Sequence, residues 1–392
     1  MPNTQTARNT RFAIRGPFIT FKSNPFVEGD ENALVHETDG LIIINNGTIE
    51  YAGKYSEGSA RLQDCPVENF PNHLITPGFI DSHVHYPQLP IIGAYGAQLI
   101  DWLNTYTFVA EQRYNDFDYA RQVSQIFLDE LARNGTTAAA VYCTVHPSSV
   151  DAFFQEADAR QLRMIAGKML MDRNAPDALL DTAQSGYDDS LALLEKWHGK
   201  GRLSYAISPR FAPTSTQAQL EAAGALWKLH PSAYMQTHAS ENNSEVEWVR
   251  ELFPGRANYI DVYAHYGLTG PRSLFGHAIH LEEAEWRHLS ETDSSVIHCP
   301  TSNTFLGSGL FNFQRACQPQ APACAVRTGL ATDVGGGTSL CMLKSMGESY
   351  KIGQLSGYSI SAAKAFYLAT RGAANALHLD QTVGSIQAGM DA

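Results

Sequence analysis

The chain has 392 residues, 28 Lys+Arg against 40 Asp+Glu, a formal net charge of −12, and 44% hydrophobic and 17% charged side chains. This length exceeds one small core and suits one large domain plus a smaller one, with the composition of an ordinary soluble enzyme. The acidic balance and the lack of any Lys/Arg run argue against nucleic acid or an anionic membrane surface as partner, and no apolar run is long enough to span a bilayer. The polar start, Met1 to Arg11, leads to the expectation of no signal peptide, and Cys65, Cys143, Cys299, Cys317, Cys324 and Cys341 form no Cys-x-x-Cys pair. Reduced thiols in a cytoplasmic protein are the expectation.

From Arg11 to about Phe70 the chain reads as short β-like runs separated by turn residues. Leu41-Ile42-Ile43-Ile44, then Asn45-Asn46-Gly47, then Thr48 to Gly53 predict a hairpin in a small antiparallel sheet, within a first domain over residues 1–72. After Pro77 the rhythm becomes strand, loop, helix. Candidate strands are Ile80–His85, Ala138–His146, Met164–Met171, Leu203–Pro209, Tyr234–His238, Leu274–His280, Ser295–Cys299 and Gly329–Asp333. Amphipathic helices are expected between them. Asp118 to Arg133 puts Tyr119, Val123, Ile126, Phe127 and Leu131 on one face, with Gly135 as the stop. Ser215 to His230 and Glu282 to Leu289 behave similarly. This is the arithmetic of a (β/α)8 TIM-like barrel over residues 73–374. The competitor, a doubly wound open sheet, would need a Gly-rich phosphate loop after a strand, and there is none. The aromatic segment from Pro87 to Tyr114, with Tyr95, Trp102, Tyr106 and Phe108, would lie over the site as a lid or pack against a partner subunit.

The stretch Pro77-Gly-Phe-Ile-Asp-Ser-His-Val-His-Tyr-Pro-Gln88 sets His83 and His85 one residue apart. Strand side chains alternate faces, so these imidazoles point the same way and can chelate a divalent metal. Alone, the pair serves equally well as half-buried polar histidines. His238 then falls at the end of the fifth strand with Glu241 three residues on, His277 on the sixth, and Asp333 at the end of the eighth. Each of these has an ordinary reading, a hydrogen-bonded core histidine or a helix-capping aspartate. Together, at strand ends that converge on one face of a barrel, three His and one carboxylate around an open position form a catalytic metal set.

These motifs resemble the amidohydrolase superfamily of metal-dependent hydrolases. The likeness tightens with His85-Tyr-Pro-Gln88, Ile92-Gly-Ala-Tyr-Gly-Ala-Gln98, Leu170-Met-Asp-Arg-Asn-Ala-Pro176, Pro209-Arg-Phe-Ala-Pro213, His238-Ala-Ser-Glu241 and Cys299-Pro-Thr-Ser-Asn303. Along nearly the whole chain this set is similar to the bacterial members of that superfamily that deaminate guanine. The resemblance implies hydrolytic deamination of guanine to xanthine and ammonia on one Zn2+ per chain, iron being the alternative metal, in a homodimer. It places His83, His85, His238 and Asp333 on the metal-ligand positions and Glu241 on the proton shuttle. His277 falls on the residue that supports the metal-bound hydroxide, and Gln88, Arg210, Phe211, His238 and Glu241 on the substrate side. Without the resemblance, Arg210 reads as a surface salt bridge and Phe211 as a core aromatic.

The chemistry agrees from below. Zinc lowers the pKa of water from about 15.7 toward about 7. A carboxyl group such as Glu241 can carry a proton from water to a ring nitrogen, so that ammonia can leave. Two-metal relatives use a carboxylated lysine at the end of strand 4. Here that strand ends Ser208-Pro209-Arg210, and Lys168 lies a strand too early, so one metal is expected. Residues 375–392 resemble the opening of a C-terminal return to a small β-sandwich and nothing more, which would leave unpaired edges at Leu41–Ile44. Two other functions compete: deamination of another ring, such as an oxidised purine, a triazine or a pterin, and a non-catalytic scaffold on the same barrel.

Overall fold

In a computed structural model the chain is described over residues 11–96, 98–318 and 325–392; Cys324 and Ala97 lie outside the described residues. It divides into two compact units, residues 1–78 with 379–392, and residues 79–378.

The first unit is a four-stranded sheet of order β3-β2-β1-β4, built from β1 (Arg11–Phe21), β2 (Leu34–Asn45), β3 (Thr48–Lys54) and β4 (Val67–Asn69). The first three strands are antiparallel, and β4 joins β1 in parallel. The hairpin turns at Asn46 and Gly47, both at positive φ (51° and 77°), the backbone a tight two-residue turn demands. Side chains of β2 alternate. Ile42 and Ile44 pack with Phe18, Ile49, Ile386 and Met390, whereas Leu41 and Ile43 pack with Ala13 on the opposite side. The expectation of unpaired edges at Leu41–Ile44 is corrected here. β2 is an inner strand bonded on both sides, and the outer side of β3 is met by the chain end, where Ile49 N–H donates to the Met390 carbonyl and Gly389 N–H to the Ile49 carbonyl, each at 2.8 Å. A hairpin pattern shows only neighbouring strands, so it reveals neither the pairing of β2 with the long β1 nor that of β3 with residues 389–391.

The second unit is a parallel barrel. Its strands are β5 (Phe79–His85), β6 (Thr136–Tyr142), β7 (Arg163–Gly167), β9 (Ser204–Pro209), β10 (Tyr234–Ala239), β11 (Ser273–His277), β12 (Ser295–His298) and β13 (Arg327–Leu330). They neighbour one another in that order, and the two-residue β8 (Met169–Leu170) extends the β7 side against β9. The ring closes where Asp333 N–H donates to the His83 carbonyl at 3.0 Å. Asp81 strengthens that seam: its carboxylate accepts from Thr332 N–H at 3.0 Å and from the Thr332 hydroxyl. A buried carboxylate needs such partners, and burial pushes Asp81 up to about 7.

Helices follow the strands. The first spans Phe117–Arg133, capped by Asp116, whose side chain accepts from the N–H groups of Asp118 and Tyr119. It buries Ala120, Val123, Phe127, Leu128 and Leu131. Ile126, expected on that face, is instead exposed, because 3.6-residue geometry turns it away from Val123 and Phe127. The expected helices near 215–230 and 282–289 form as Gln217–Leu229 and Glu283–Glu291. Residues 99–115 fold into short helical turns whose Leu99, Trp102 and Leu103 line the cavity at the strand ends. Among the described residues no helix is long and apolar enough to cross a membrane.

Candidate active site

His83 and His85 leave β5 on the same side, His238 leaves β10, and Asp333 follows β13. Their ligating atoms meet at one point. The Nε2 atom of His238 lies 3.2 Å from Nε2 of His83 and 3.0 Å from Nε2 of His85. Oδ1 of Asp333 lies 3.4 Å from His83 Nε2 and 3.5 Å from His85 Nε2. Four donors around a tetrahedral ion with bonds near 2.0–2.1 Å stand roughly 3.3 Å apart, so the set has the size of a zinc-like cation.

The protonation states also fit. Loss of solvent lowers His83 to about 3 and holds His85 and His238 well below the usual histidine range, mutual repulsion adding to burial in the last two. Neutral imidazoles keep a lone pair for a metal. In His238 the tautomer is settled: Nδ1 donates to the Arg210 carbonyl at 2.7 Å, leaving Nε2 free to ligate. Tyr142 stacks on His85 at 4.6 Å between ring centroids and backs the group.

A second grouping, His83, His277, Cys299 and Asp333, shares two of these residues. Burial pushes the Cys299 thiol well above its ordinary value, and its sulfur donates to the Ile297 carbonyl at 3.6 Å. A buried, neutral thiol is a poor ligand beside three neutral imidazoles. The imidazole–aspartate set is the better cation site.

Glu241 stands at the rim. Burial, then the nearby Glu245 and Asp333, raises its carboxyl well above the usual range, favouring the protonated form. One oxygen accepts from the Ser308 hydroxyl at 3.1 Å, and the other lies 3.3 Å from His277 Nε2. Glu245 carries the local fold: its carboxylate accepts from the N–H groups of Glu241 and Asn242 at 2.8 and 3.1 Å, while Asn242 caps the following helix. Asn303 donates its amide to His277 Nδ1 at 2.9 Å, which places the His277 proton on Nε2, toward Glu241 and Asp333.

Backbone strain gathers at these strand ends. Ser240, His277, Ala278 and Asp333 all adopt positive φ, between 49° and 69°. Such a conformation costs a non-glycine residue about 1–3 kcal/mol and concentrates where geometry serves function.

The cavity is lined by all the remaining candidates. Phe211 offers a ring, while Gln88 and Arg210 offer polar groups, both nearly fully buried. Arg210 is therefore not a surface salt bridge. Its guanidinium is held by Glu111, Nη1 at 2.7 Å from Oε2 and Nη2 at 3.2 Å from Oε1, and Gln88 Nε2 donates to that same Oε1 at 3.1 Å. Lys168 is buried in an ion pair with Asp181 rather than presented to the metal position.

Sequence reasoning missed Glu111, Ser308, Asn303, Tyr142 and Gly276. Apart from Gly276, which directly precedes His277, none has a spacing relation to the histidines. Gly276 is needed because a Cβ there would stand 2.5 Å from His83 Cε1. Its place beside His277 was the one available signal.

The chain is 49% identical over 391 residues to a guanine deaminase of Escherichia coli (strain K12), covering 99% of this chain and 88% of the relative. It is 40% identical to a probable guanine deaminase of Deinococcus radiodurans, covering 96% and 86%. The solved E. coli guanine deaminase superposes with a TM-score of 0.94 at 48% identity, over 97% of this chain and 88% of that one. A guanine deaminase from C. acetobutylicum with bound guanine in the active site superposes with a TM-score of 0.89 at 27% identity, over 97% and 89%. The family model described as "Amidohydrolase family" matches residues 74–392, so the chain belongs to the amidohydrolase family.

Proposed function

We propose that this protein hydrolyses guanine to xanthine and ammonia, with one zinc ion per chain held by His83, His85, His238 and Asp333. The observation that carries the reading is the meeting of those four ligating atoms within 3.0–3.5 Å of their neighbours, on the wall of a cavity that also holds Glu241, Phe211, Arg210 and Gln88. The guanine deaminase relatives support the choice of substrate.

Zinc supplies the Lewis acidity that makes water a nucleophile at neutral pH. The chain's own groups do the rest. The purine lies against Phe211, with Arg210 and Gln88 fixing its polar edge, so that C2 faces the four-ligand corner. The water oxygen bonds to C2. Glu241 moves one water proton to the ring nitrogen beside C2 and a second to the exocyclic amine. The C2–N bond then breaks, and ammonia leaves. His277, with its proton on Nε2, and Asp333 hold the water between them. Trp102 and Leu103 add apolar wall to the cavity, and the less water such a wall admits the stronger each polar contact within it becomes.

The test is an ultraviolet assay of the purified, zinc-loaded protein with guanine, adenine and cytosine. Turnover of guanine alone is expected. Turnover confined to another ring would overturn the substrate assignment, and none on any ring would overturn the enzyme.

A further inference from the structure

Glu111 belongs to none of the proposed ligand, shuttle or substrate-contacting positions, yet it is fully buried at the back of the cavity. It sits on the Phe108–Glu111 turn, 99 residues from the arginine that it binds. Both of its oxygens are engaged, one by Arg210 alone and the other by Arg210 and Gln88 together. Phe108 from the same turn faces the guanidinium, its ring centre 5.2 Å from Cζ, and Met169 Sδ lies 3.0 Å from Nη1.

A carboxylate only accepts hydrogen bonds. Against Glu111, the Gln88 amide must therefore turn its nitrogen inward, and its carbonyl oxygen becomes the atom left for a ligand. Gly335 leaves room for that orientation, since a Cβ there would stand 1.9 Å from Gln88 Oε1. The same carboxylate fixes the plane of Arg210, so guanidinium donors stand beside a glutamine acceptor.

We infer that Glu111 is a positioning residue that sets substrate choice. By orienting Gln88 as acceptor and Arg210 as donor, it selects a ring edge that presents a carbonyl acceptor next to an N–H donor, and rejects one with an amino donor in the carbonyl's place. This rests on the deaminase reading above.

The test compares wild type with Glu111→Gln, whose amide accepts as well as donates and so releases the Gln88 flip. Guanine KM and kcat are measured, together with the inhibition constant of 2,6-diaminopurine, which carries an amino group where guanine carries oxygen. Wild type should bind guanine far better than the diamino analogue. In Glu111→Gln the guanine KM should rise roughly 10- to 100-fold with kcat changed by less than about threefold, and the discrimination between the two purines should fall at least about tenfold. Gln88→Met leaves the Glu111–Arg210 pair intact and should show the same loss of discrimination, whether or not Glu111→Gln folds. Metal content and circular dichroism identify a folded variant. Wild type with no guanine turnover overturns the functional reading and this inference with it. Active wild type, with discrimination preserved in folded Glu111→Gln or in Gln88→Met, overturns this inference alone.

Discussion

The backbone N–H of Asp333 donates to the carbonyl of His83 at 3.0 Å, so the bond that closes the barrel joins two of the residues proposed to hold the metal. Closing the ring and assembling the site are therefore one event. The ends of β5 and β13 cannot separate without drawing an imidazole and a carboxylate apart. Metal binding should in turn stabilise the closed ring.

Removal of the metal tests that coupling. Dialysis against a strong chelator should abolish guanine turnover and lower the melting temperature, and zinc should restore both. Saturation at 100 times Kd corresponds to about 2.7 kcal/mol of added stability. Metal analysis should give one equivalent per chain, since Lys168 is committed to Asp181 and does not face the cavity. Two equivalents at full activity would contradict the single-metal site.

Glu241→Gln removes the ionisable carboxyl while keeping its size. Because Glu241 is not among the four converging ligands, zinc content should stay at the wild-type level. Turnover should fall by about 10²- to 10⁴-fold, the usual contribution of a positioned proton carrier. Near-normal kcat in the metal-loaded variant would remove Glu241 from the mechanism.

Gly276→Ala probes the space behind His83. The added methyl would stand 2.5 Å from His83 Cε1, and β11 is held by neighbours on both sides, so the imidazole must yield. Metal affinity should drop roughly 10- to 100-fold, in line with disturbance of a ligand's support. Excess zinc should recover part of the activity. Equal zinc affinity for variant and wild type, measured by competition with a chelator, would refute this.

His298 offers a pH prediction away from the metal position. Its ring stacks on Phe311 at 4.5 Å, both nitrogens lack hydrogen-bond partners among the described residues, and burial lowers its pKa from 6.5 to about 3. Between those values the unfolded chain takes up a proton that the folded chain refuses, so stability falls as pH drops from 6.5 toward 3. The slope from this residue is about 1.4 kcal/mol per pH unit at most. His298→Phe should unfold at lower pH than wild type, with stability at pH 8 equal or higher. An unchanged acid midpoint would show that His298 is protonated in the folded protein.

Local spacing was enough for part of this protein. The period of two along Phe79–His85 sets His83 and His85 on one face wherever that strand lies, and the recurrence of apolar strands and amphipathic helices implies a barrel whose strand ends converge. His238, His277 and Asp333 stand at or just past such ends, with Glu241 three residues after His238, so the closed ring brings these four side chains to one face. Long-range packing decided the rest, because contacts between residues distant in sequence leave no periodic trace. Glu111 meets Arg210 across 99 positions, Ser308 reaches Glu241 across 67, and Thr332 reaches Asp81 across 251. The same limit makes Leu41–Ile44 read as an edge, although β2 lies between β1 and β3 and the chain end meets the outer side of β3. A strand's faces follow from its own geometry; the partners of a buried charge follow only from which parts of the chain the closed ring brings together.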